Sequence, residues 1–281
     1  MNFPMAVKLV CKFGLAALLF FLVPVISYAS FLRMLSTVTT EVVASEQIVK
    51  FQFEITNDGD ELGRGIRIEL PTLNESWPVV DSLKPKESTK AEFNIPYGKI
   101  GIGQDGTYGL AYRVHYQDAA GVSYSSSNYA VITVGVAPAR ALVSTIADGE
   151  ASSPLRIVRE LHIPVMVQNV SGREVKIETA MPFSSAEMLT TMPNWSDEGI
   201  LLKPLERTSL GVLVTRIGGY VGSIYAVSVL VSGTIEGKHF FEPLSFQVRL
   251  SDPILHDRGI LGLVLVGVVI VLLIQWKRKR A

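Results

Sequence analysis

The side chains of this sequence that could do chemistry are mostly carboxylates, histidines and tyrosines. The densest group of oxygen donors follows an alternating apolar segment and could hold Ca²⁺, which prefers carboxylate and amide oxygens. The twelve-residue EF-hand pattern with its distal Glu is missing, and the same residues could form an Asx-type turn that needs no metal. Both interpretations remain open at this point. The donors are Asn57, Asp58, Asp60 and Glu61.

The four histidines are too scattered to indicate an active site. His115, His162, His239 and His256 form no HExxH motif, and no GxSxG motif occurs in the chain. The single cysteine, Cys11, lies in an N-terminal apolar run that we expect to be removed. The mature chain would then lack thiolates for catalysis, zinc sites or iron–sulfur clusters. We therefore expect no catalytic residues, no metal site and no cofactor.

Two further patterns resemble ligand sites but have structural explanations. Residues 98–106 are rich in glycine, like a phosphate loop, but no helix follows to bind a phosphate. Tyr108, Tyr112 and Tyr116 could stack on a sugar, yet they share a strand face with apolar residues, which favours core packing. Tyr108 and Tyr220 each follow a glycine by two residues, which is typical of a tyrosine corner.

The charge balance excludes one large class of partner. Lys and Arg together number 26, as do Asp and Glu, so the formal net charge is zero. A chain without a basic surplus has no electrostatic footprint for nucleic acid. We expect no nucleic-acid partner.

Residues 1–29 have the pattern of a secretory signal peptide. Lys8 and Lys12 precede an apolar run, and Ser27 and Ala29 place small residues at the −3 and −1 positions of a cleavage site. An uncleaved anchor is the alternative, but the run is short and ends in a cleavage-type triplet. We predict secretion across a membrane.

Residues 260–276 form a second apolar segment, which we predict to be a transmembrane α-helix. As a helix its 17 residues would reach about 25 Å, enough for a thin bilayer. Basic residues stay on the cytoplasmic side, so residues 30–259 would be extracytoplasmic, in the periplasm or at the cell surface. A sortase-type processing signal is the alternative, although no LPxTG motif precedes the segment. The anchor runs from Ile260 to Trp276, and the tail, residues 277–281, begins with Lys277, Arg278, Lys279 and Arg280.

Between these ends, the pattern repeats every two residues, as expected for half-buried strands. The clearest strand runs from Ile48 to Asn57, and its counterpart from Leu161 to Asn169 contains Pro164, which cannot donate a ladder hydrogen bond. Each half holds about seven strands in roughly 110 residues, the size of an immunoglobulin-like sandwich. We predict an all-β chain of two tandem sandwiches, residues 30–137 and 138–251, with a hinge at Ala137, Pro138 and Ala139 and a linker at residues 252–259.

An internal repeat supports the duplication. In each half a lone tryptophan is followed by a Leu-Lys-Pro turn, and a strand that begins with Thr follows the turn. Proline presets the backbone of a turn, so this repeat is structural. Its members are Trp77, Leu83 and Pro85 in the first half and Trp195, Leu202 and Pro204 in the second.

The order of these motifs resembles the CARDB-type surface sandwich modules of bacteria and archaea. The resemblance rests on the Asn-Asp-Gly turn, the tryptophan, the Leu-Lys-Pro-x-Glu turn and the Tyr-Gln-Asp-Ala-Ala-Gly hairpin. It covers residues 40–136 well and residues 140–250 less well. It implies a fold and a surface location, with no shared catalytic residues. Where those modules have Pro-Gly, this chain has Lys86 after Pro85 and Leu205 after Pro204.

These observations predict a non-enzymatic, single-pass membrane protein that presents two sandwiches to an envelope or surface protein. An accessory subunit of a transport, secretion or assembly complex is the second hypothesis. A carbohydrate-binding surface module is the third, and it requires Trp77 or Trp195 to be exposed.

Overall fold

The computed structural model describes residues 31–146, 154–196, 198–251 and 267–268, and these residues are predominantly β-strands, arranged in several sheets. The all-β prediction is thus confirmed. Helical structure in the described parts of residues 31–251 is limited to helix α1, Tyr97–Ile100, and a 3₁₀ turn, Pro71–Leu73. No helix among the described residues is long and apolar enough to cross a membrane. Apart from residues 267–268, the predicted signal and anchor lie outside the described residues, including Ser27, Ala29, Ile260, Trp276 and the four basic residues that follow it.

The N-terminal repeat is a two-layered structure around one core. Strands β1, β2 and β5 form one layer, and β7, β6, β3 and β4 form the other. Phe53 from the first layer meets Tyr112 from the second edge to face, with ring centroids 5.0 Å apart. The strands are β1 Met34–Val43, β2 Ile48–Asn57, β3 Gly63–Leu70, β4 Glu75–Leu83, β5 Ser88–Pro96, β6 Gly106–Gln117 and β7 Ser123–Val134.

The C-terminal repeat encloses a second core in the same way. One layer has the strand order β12-β14-β10-β8, and the other has β13-β11-β15-β16, with β9 paired to β16. Val165, Val212 and Val229 are among the fully buried residues of this core. The strands are β8 Leu142–Ile146, β9 Leu155–Ile157, β10 Glu160–Asn169, β11 Val175–Ser184, β12 Met188–Thr191, β13 Ile200–Leu202, β14 Arg207–Arg216, β15 Ile224–Ile235 and β16 Lys238–Leu250.

Pro164 shows how β10 accommodates a residue without an N–H group. The strand pairs with β14 along nearly its whole length, including Pro164 opposite Gly211. Pairing with β8 on the other side covers only Val165 to Asn169. Pro164 therefore lies just beyond the β8 ladder, where no ladder donor is needed.

The two repeats lie side by side and point in opposite directions. One nine-stranded sheet crosses both of them, because β16 meets β6 through a parallel pair of His239 and Gly106. Strand β7 runs alongside β15, with Ser127 Oγ donating to the Ala226 carbonyl at 3.2 Å. The described residues from Leu32 onward belong to one compact unit. The predicted hinge, residues 137–139, lies between β7 and β8. The repeats also contact each other where β7 meets β15 and where β16 meets β6.

Candidate functional site

The candidate calcium loop is held by its own backbone and by two cations. Asn57 is fully buried, and its side-chain oxygen accepts from the Gly59 N–H at 3.0 Å, which closes an Asx turn. The carboxylate of Asp58 lies 3.1 Å from Lys86 Nζ and 3.7 Å from Arg33 Nη1. Glu61 contributes its carbonyl, which accepts from Asn57 Nδ2 at 2.7 Å. These contacts form the Asx-type turn that the sequence pattern allows.

The same buried asparagine connects the loop to the Leu-Lys-Pro turn. Asn57 Nδ2 also donates to the Leu83 carbonyl at 3.0 Å. In the second repeat, Asn169 Nδ2 donates to the carbonyls of Arg173 and Leu202, at 2.8 and 2.9 Å. Each asparagine therefore joins two turns across its own repeat, a contact that the sequence pattern alone did not indicate.

The repeated turns have the same hydrogen bonds in both halves. The N–H of Lys84 donates to Glu87 Oε2 and that of Lys203 to Glu206 Oε2, both at 2.8 Å. Leu83 and Leu202 are both buried, while Pro85 and Pro204 are exposed in the turns. The repeat motif thus has a structural role in each half.

Lys86 and Leu205 directly follow the proline in the two repeated turns. Both have φ of +65°, in the left-handed region that disfavours side chains with a Cβ atom. Lys86 gains a compensating contact, since its ammonium reaches the Asp58 carbonyl and carboxylate. Leu205 is 71% exposed. Backbone strain at Leu205 is therefore offset by little apolar burial.

Leu205→Gly is expected to raise the free energy of unfolding by about 0.5–1 kcal/mol, because relief of a left-handed leucine exceeds the added chain entropy of glycine. Leu205→Ala is the matched control: it removes the exposed side chain but keeps Cβ, so its stability should stay close to that of the original chain. Urea unfolding of both variants measures the difference. Equal stability of the two variants would exclude backbone strain as the cause.

Both repeat tryptophans are half-buried and pack against the cores. The Trp77 ring stacks on Phe93, with centroids 4.6 Å apart and planes inclined by 26°. Trp195 packs against the core of the second repeat. The position of each ring favours closure of its sandwich over stacking on a ligand.

The evenly spaced tyrosines are core residues rather than a stacking platform. Tyr108, Tyr112 and Tyr116 are all buried. Burial raises the pKa of Tyr112 to about 12 and that of Tyr116 to about 12 as well. Tyr108 forms the predicted corner, since its hydroxyl donates to the Gln104 carbonyl at 2.8 Å. Tyr220 lies before β15 and is exposed, so it does not play the corresponding role.

Two of the histidines form contacts between strands. His115 Nε2 is 2.5 Å from Glu69 Oε2, which also lies 3.7 Å from Arg113 Nη1. His239 stacks on Tyr108 with ring centroids 4.1 Å apart, and its Nδ1 bonds to the Thr107 carbonyl at 2.7 Å. His162 faces outward on β10, and His256 lies outside the described residues. The structure therefore does not bring His115, His162 and His239 together.

The glycine-rich segment bends the chain toward the second repeat. Helix α1 within it has one turn, and Gly101 ends it with φ of +83°. Gly106 has φ of +145°, and a Cβ there would lie 2.0 Å from the His239 carbonyl oxygen. Only glycine permits this close approach of the two backbones. This end of the segment therefore contacts the second repeat, through Asp105 and Gly106 against His239.

Several polar side chains form hydrogen bonds across the junction between the two repeats. The N–H and the hydroxyl of Ser125 both donate to the carboxylate of Glu187, each at 2.9 Å. The Ala186 N–H donates to Ser125 Oγ at 2.6 Å. Arg113 donates to the Ser184 carbonyl at 2.8 Å, and its guanidinium lies 4.9 Å from the Phe183 ring centroid. These contacts connect β6 and β7 to the end of β11 and to the loop after it.

Ser125 has the residue type of a nucleophile, but its setting is structural. It is only 5% exposed, and its hydroxyl is held between a carboxylate and a backbone N–H. A substrate carbonyl would have to reach it through the interface between the repeats. The junction therefore joins two surfaces and offers no accessible reacting group at Ser125.

An apolar patch lies next to these polar contacts. Tyr129 meets Phe241 at a centroid distance of 5.8 Å, and a Cβ on Gly109 would fall 1.9 Å from the Phe241 ring. The small residues of β6 thus make room for the second repeat. The patch comprises Ala111, Phe183 and Leu230, with Tyr129, Met181 and Phe241 packed around them.

The outer face of the β1-β2-β5 sheet carries a shallow groove of about 260 Å³. Lys50 lies 3.7 Å from Glu41, and Gln52 donates to Glu92 at 3.0 Å within it. Phe51 lines the groove but is almost fully buried, so it offers no open ring face. The groove thus presents mixed charge together with amide and hydroxyl groups. The lining residues are Thr39, Thr40, Glu41, Lys50, Phe51, Gln52, Glu92 and Asn94.

Among the described residues, no group of three or more His, Cys, Asp or Glu side chains could hold a metal ion.

Neither the junction nor the groove was predicted from the sequence. A signal for the junction exists in β6, where Gly109 and Ala111 occupy the face on which polar residues are expected. Small side chains on an apparent solvent face indicate a closely packed neighbour.

No protein-family model and no curated protein matches the chain. Among solved structures it is similar to native E. coli alpha-2-macroglobulin, with 10% identity and a TM-score of 0.32 over 78% of this chain and 17% of that one. A protein of unknown function from Porphyromonas gingivalis W83 has 9% identity and a TM-score of 0.32 over 77% of this chain and 99% of that one. The periplasmic chaperone SfaE has 14% identity and a TM-score of 0.29 over 78% and 100% of the respective chains. The chain spans only 17% and 22% of the two alpha-2-macroglobulin chains it matches. These similarities assign neither a family nor a function.

Proposed function

We propose that this chain is a non-enzymatic, membrane-anchored extracytoplasmic protein in which two immunoglobulin-like sandwiches act as one rigid binding module. The membrane assignment rests on the sequence of residues 1–29 and 260–281. The resemblance to CARDB-type surface modules supports the fold and the location. The partner of the module is a protein of the cell envelope or surface.

The observation that carries the proposal is the junction between the repeats. Ser125, Glu187 and Arg113, which could otherwise serve chemistry, join the two halves. Asn57 and Asp58 are likewise engaged within the first repeat. Polar contacts that hold the two repeats together also hold their outer surfaces in one conformation. Surfaces that are already ordered lower the entropy cost of binding a partner.

The groove around Lys50 is the surface that we assign to the partner. Its charged and amide side chains can make several hydrogen bonds, while its one aromatic ring is buried. These properties favour a protein partner over a stacked carbohydrate. The rigid β1-β2-β5 sheet below it keeps these side chains in place.

Lys50→Glu is expected to reduce native co-purification of an envelope protein at least about tenfold, because it reverses the charge of a residue that lines the groove. Lys176→Glu is the matched control, since both lysines are exposed strand residues in a surface ion pair. The full chain is extracted from membranes in mild detergent, and its partners are quantified by mass spectrometry. Equal losses for both variants would rule out the groove.

Two other results would overturn the proposal itself. Recovery of the original chain from membranes always without a partner would contradict a binding module. Hydrolysis or modification of an envelope polymer by the purified chain would contradict a non-enzymatic role.

A further inference from the structure

One end of the C-terminal repeat exposes apolar and basic side chains together. Ile217 is 64% exposed and Val221 47% exposed, although both are large aliphatic residues. We call this surface the collar. It consists of Val158, Leu189, Ile217, Tyr220, Val221 and Ile224, with the exposed arginines Arg156, Arg159 and Arg249.

We propose that the collar rests in the headgroup region of the lipid bilayer that holds the predicted C-terminal anchor. This inference depends on the proposed membrane anchoring and adds an orientation to it. It places this end of the module against the lipid, and the Leu205 turn at the far end.

Backbone contacts place the collar segments next to one another. The Arg216 N–H donates to the Arg159 carbonyl at 2.8 Å, which brings the segment after β9 to the end of β14. The Ile217 N–H donates to the Glu187 carbonyl at 3.0 Å, close to Leu189. Ile224 pairs with Arg249 across β15 and β16. The apolar side chains thus share one end of the repeat.

The position at which β16 ends indicates that the lipid bilayer covers the collar. The Gly222 N–H donates to the Leu250 carbonyl and the Ser251 N–H to the Ile157 carbonyl, both at 2.8 Å, so β16 ends within the collar. Eight residues, 252–259, separate Ser251 from the apolar segment. A chain of that length spans at most about 30 Å. The anchor therefore keeps the collar close to the lipid surface.

The chemistry of the collar suits that position. Aliphatic and tyrosine side chains partition into the headgroup region, and arginines near the surface attract anionic lipids. The carboxylate of Glu187, whose carbonyl holds Ile217, is directed to Ser125 across the junction. The opposite end of β10 is about 30 Å away along a ten-residue strand. Leu205 lies there, since its N–H donates to the Asn169 carbonyl.

The test attaches an environment-sensitive fluorophore to the full chain in vesicles of phosphatidylcholine and phosphatidylglycerol. Val221→Cys labels the collar and Leu205→Cys labels the far end as a matched exposed position, each after removal of residues 1–29, which also removes the natural thiol of Cys11. Lipids with a nitroxide near the headgroup should quench the Val221 label several-fold more than the Leu205 label. Arg159→Gln should weaken the contact about fivefold in these anionic vesicles and leave it unchanged in pure phosphatidylcholine.

The outcomes separate the two proposals. Failure of the chain to float with the vesicles would refute the anchoring, and the collar proposal with it. Flotation with equal quenching of the two labels would refute the collar and leave the anchoring intact. Circular dichroism of both labelled variants, matching that of the original chain, is required for either result.

Discussion

Asn169→Ala is expected to lower the free energy of unfolding by about 3–5 kcal/mol, one of the two largest effects we predict. The side chain is fully buried, and its amide donates to two backbone carbonyls of different turns. Its oxygen accepts from the N–H and hydroxyl of Ser171. Alanine would leave these groups without their partner, and each buried unsatisfied group costs about 1–3 kcal/mol.

Asn57→Ala should have an effect of similar size, because the same contacts recur in the first repeat. Asn94→Ala is the control, since Asn94 is exposed on β5 and its loss should change stability by less than about 0.5 kcal/mol. Urea unfolding followed by tryptophan fluorescence measures all three variants in detergent. A loss below about 1 kcal/mol for Asn169→Ala would show that water replaces the asparagine contacts.

The free energy of unfolding is also expected to fall steeply between pH 10 and pH 12. Burial raises the pKa of Tyr112 and of Tyr116 to about 12 in the folded chain. In the unfolded chain both phenols ionise near pH 10. Their contribution is therefore complete below pH 10 and is lost as the pH rises through 12. Each pKa unit corresponds to about 1.4 kcal/mol, so the two residues together account for a loss of about 5 kcal/mol.

Tyr112→Phe separates this effect from general alkaline damage. The variant lacks the Tyr112 phenol, so the loss of stability between pH 10 and pH 12 should shrink by about 2–3 kcal/mol, while Tyr116 and Tyr225, whose pKa burial also raises, keep their contributions. Urea midpoints at pH 8 to 12, with tyrosinate absorbance as a second signal, give the comparison. An unchanged slope in Tyr112→Phe would contradict the assignment.

Much of the strand arrangement could be predicted because one face of many strands is buried. The strand predicted from Ile48 to Asn57 matches β2 in its bounds, and the predicted strand face of Tyr108, Tyr112 and Tyr116 lies in β6. Strand β1 was not predicted. Its sequence is rich in threonine and shows no clear apolar face. In the structure the strand is only partly buried and lies against β7, where Thr40 donates to the Val131 carbonyl.

The junction could not be predicted because the contacts that form it join residues far apart in sequence. Arg113 and His115 lie on the face of β6 opposite to the core, where polar residues normally contact water. Only the partner surface around Phe183 and Glu187 makes that face an interface. The turn at Leu205 illustrates the opposite case. Its departure from the Pro-Gly pattern was visible in the sequence, and the left-handed backbone explains what that departure costs.

The antiparallel packing of the repeats limits how the chain could grow by duplication. Strand β7 contacts β15 while β16 contacts β6, and each contact joins the last strand of one repeat to the strand before the last of the other. Such an arrangement has the approximate two-fold symmetry of an isologous dimer, in which each partner uses the same surface. A third copy would find that surface already occupied. A pair of this kind is closed, whereas repeats joined head to tail can extend into a filament or an array of any length.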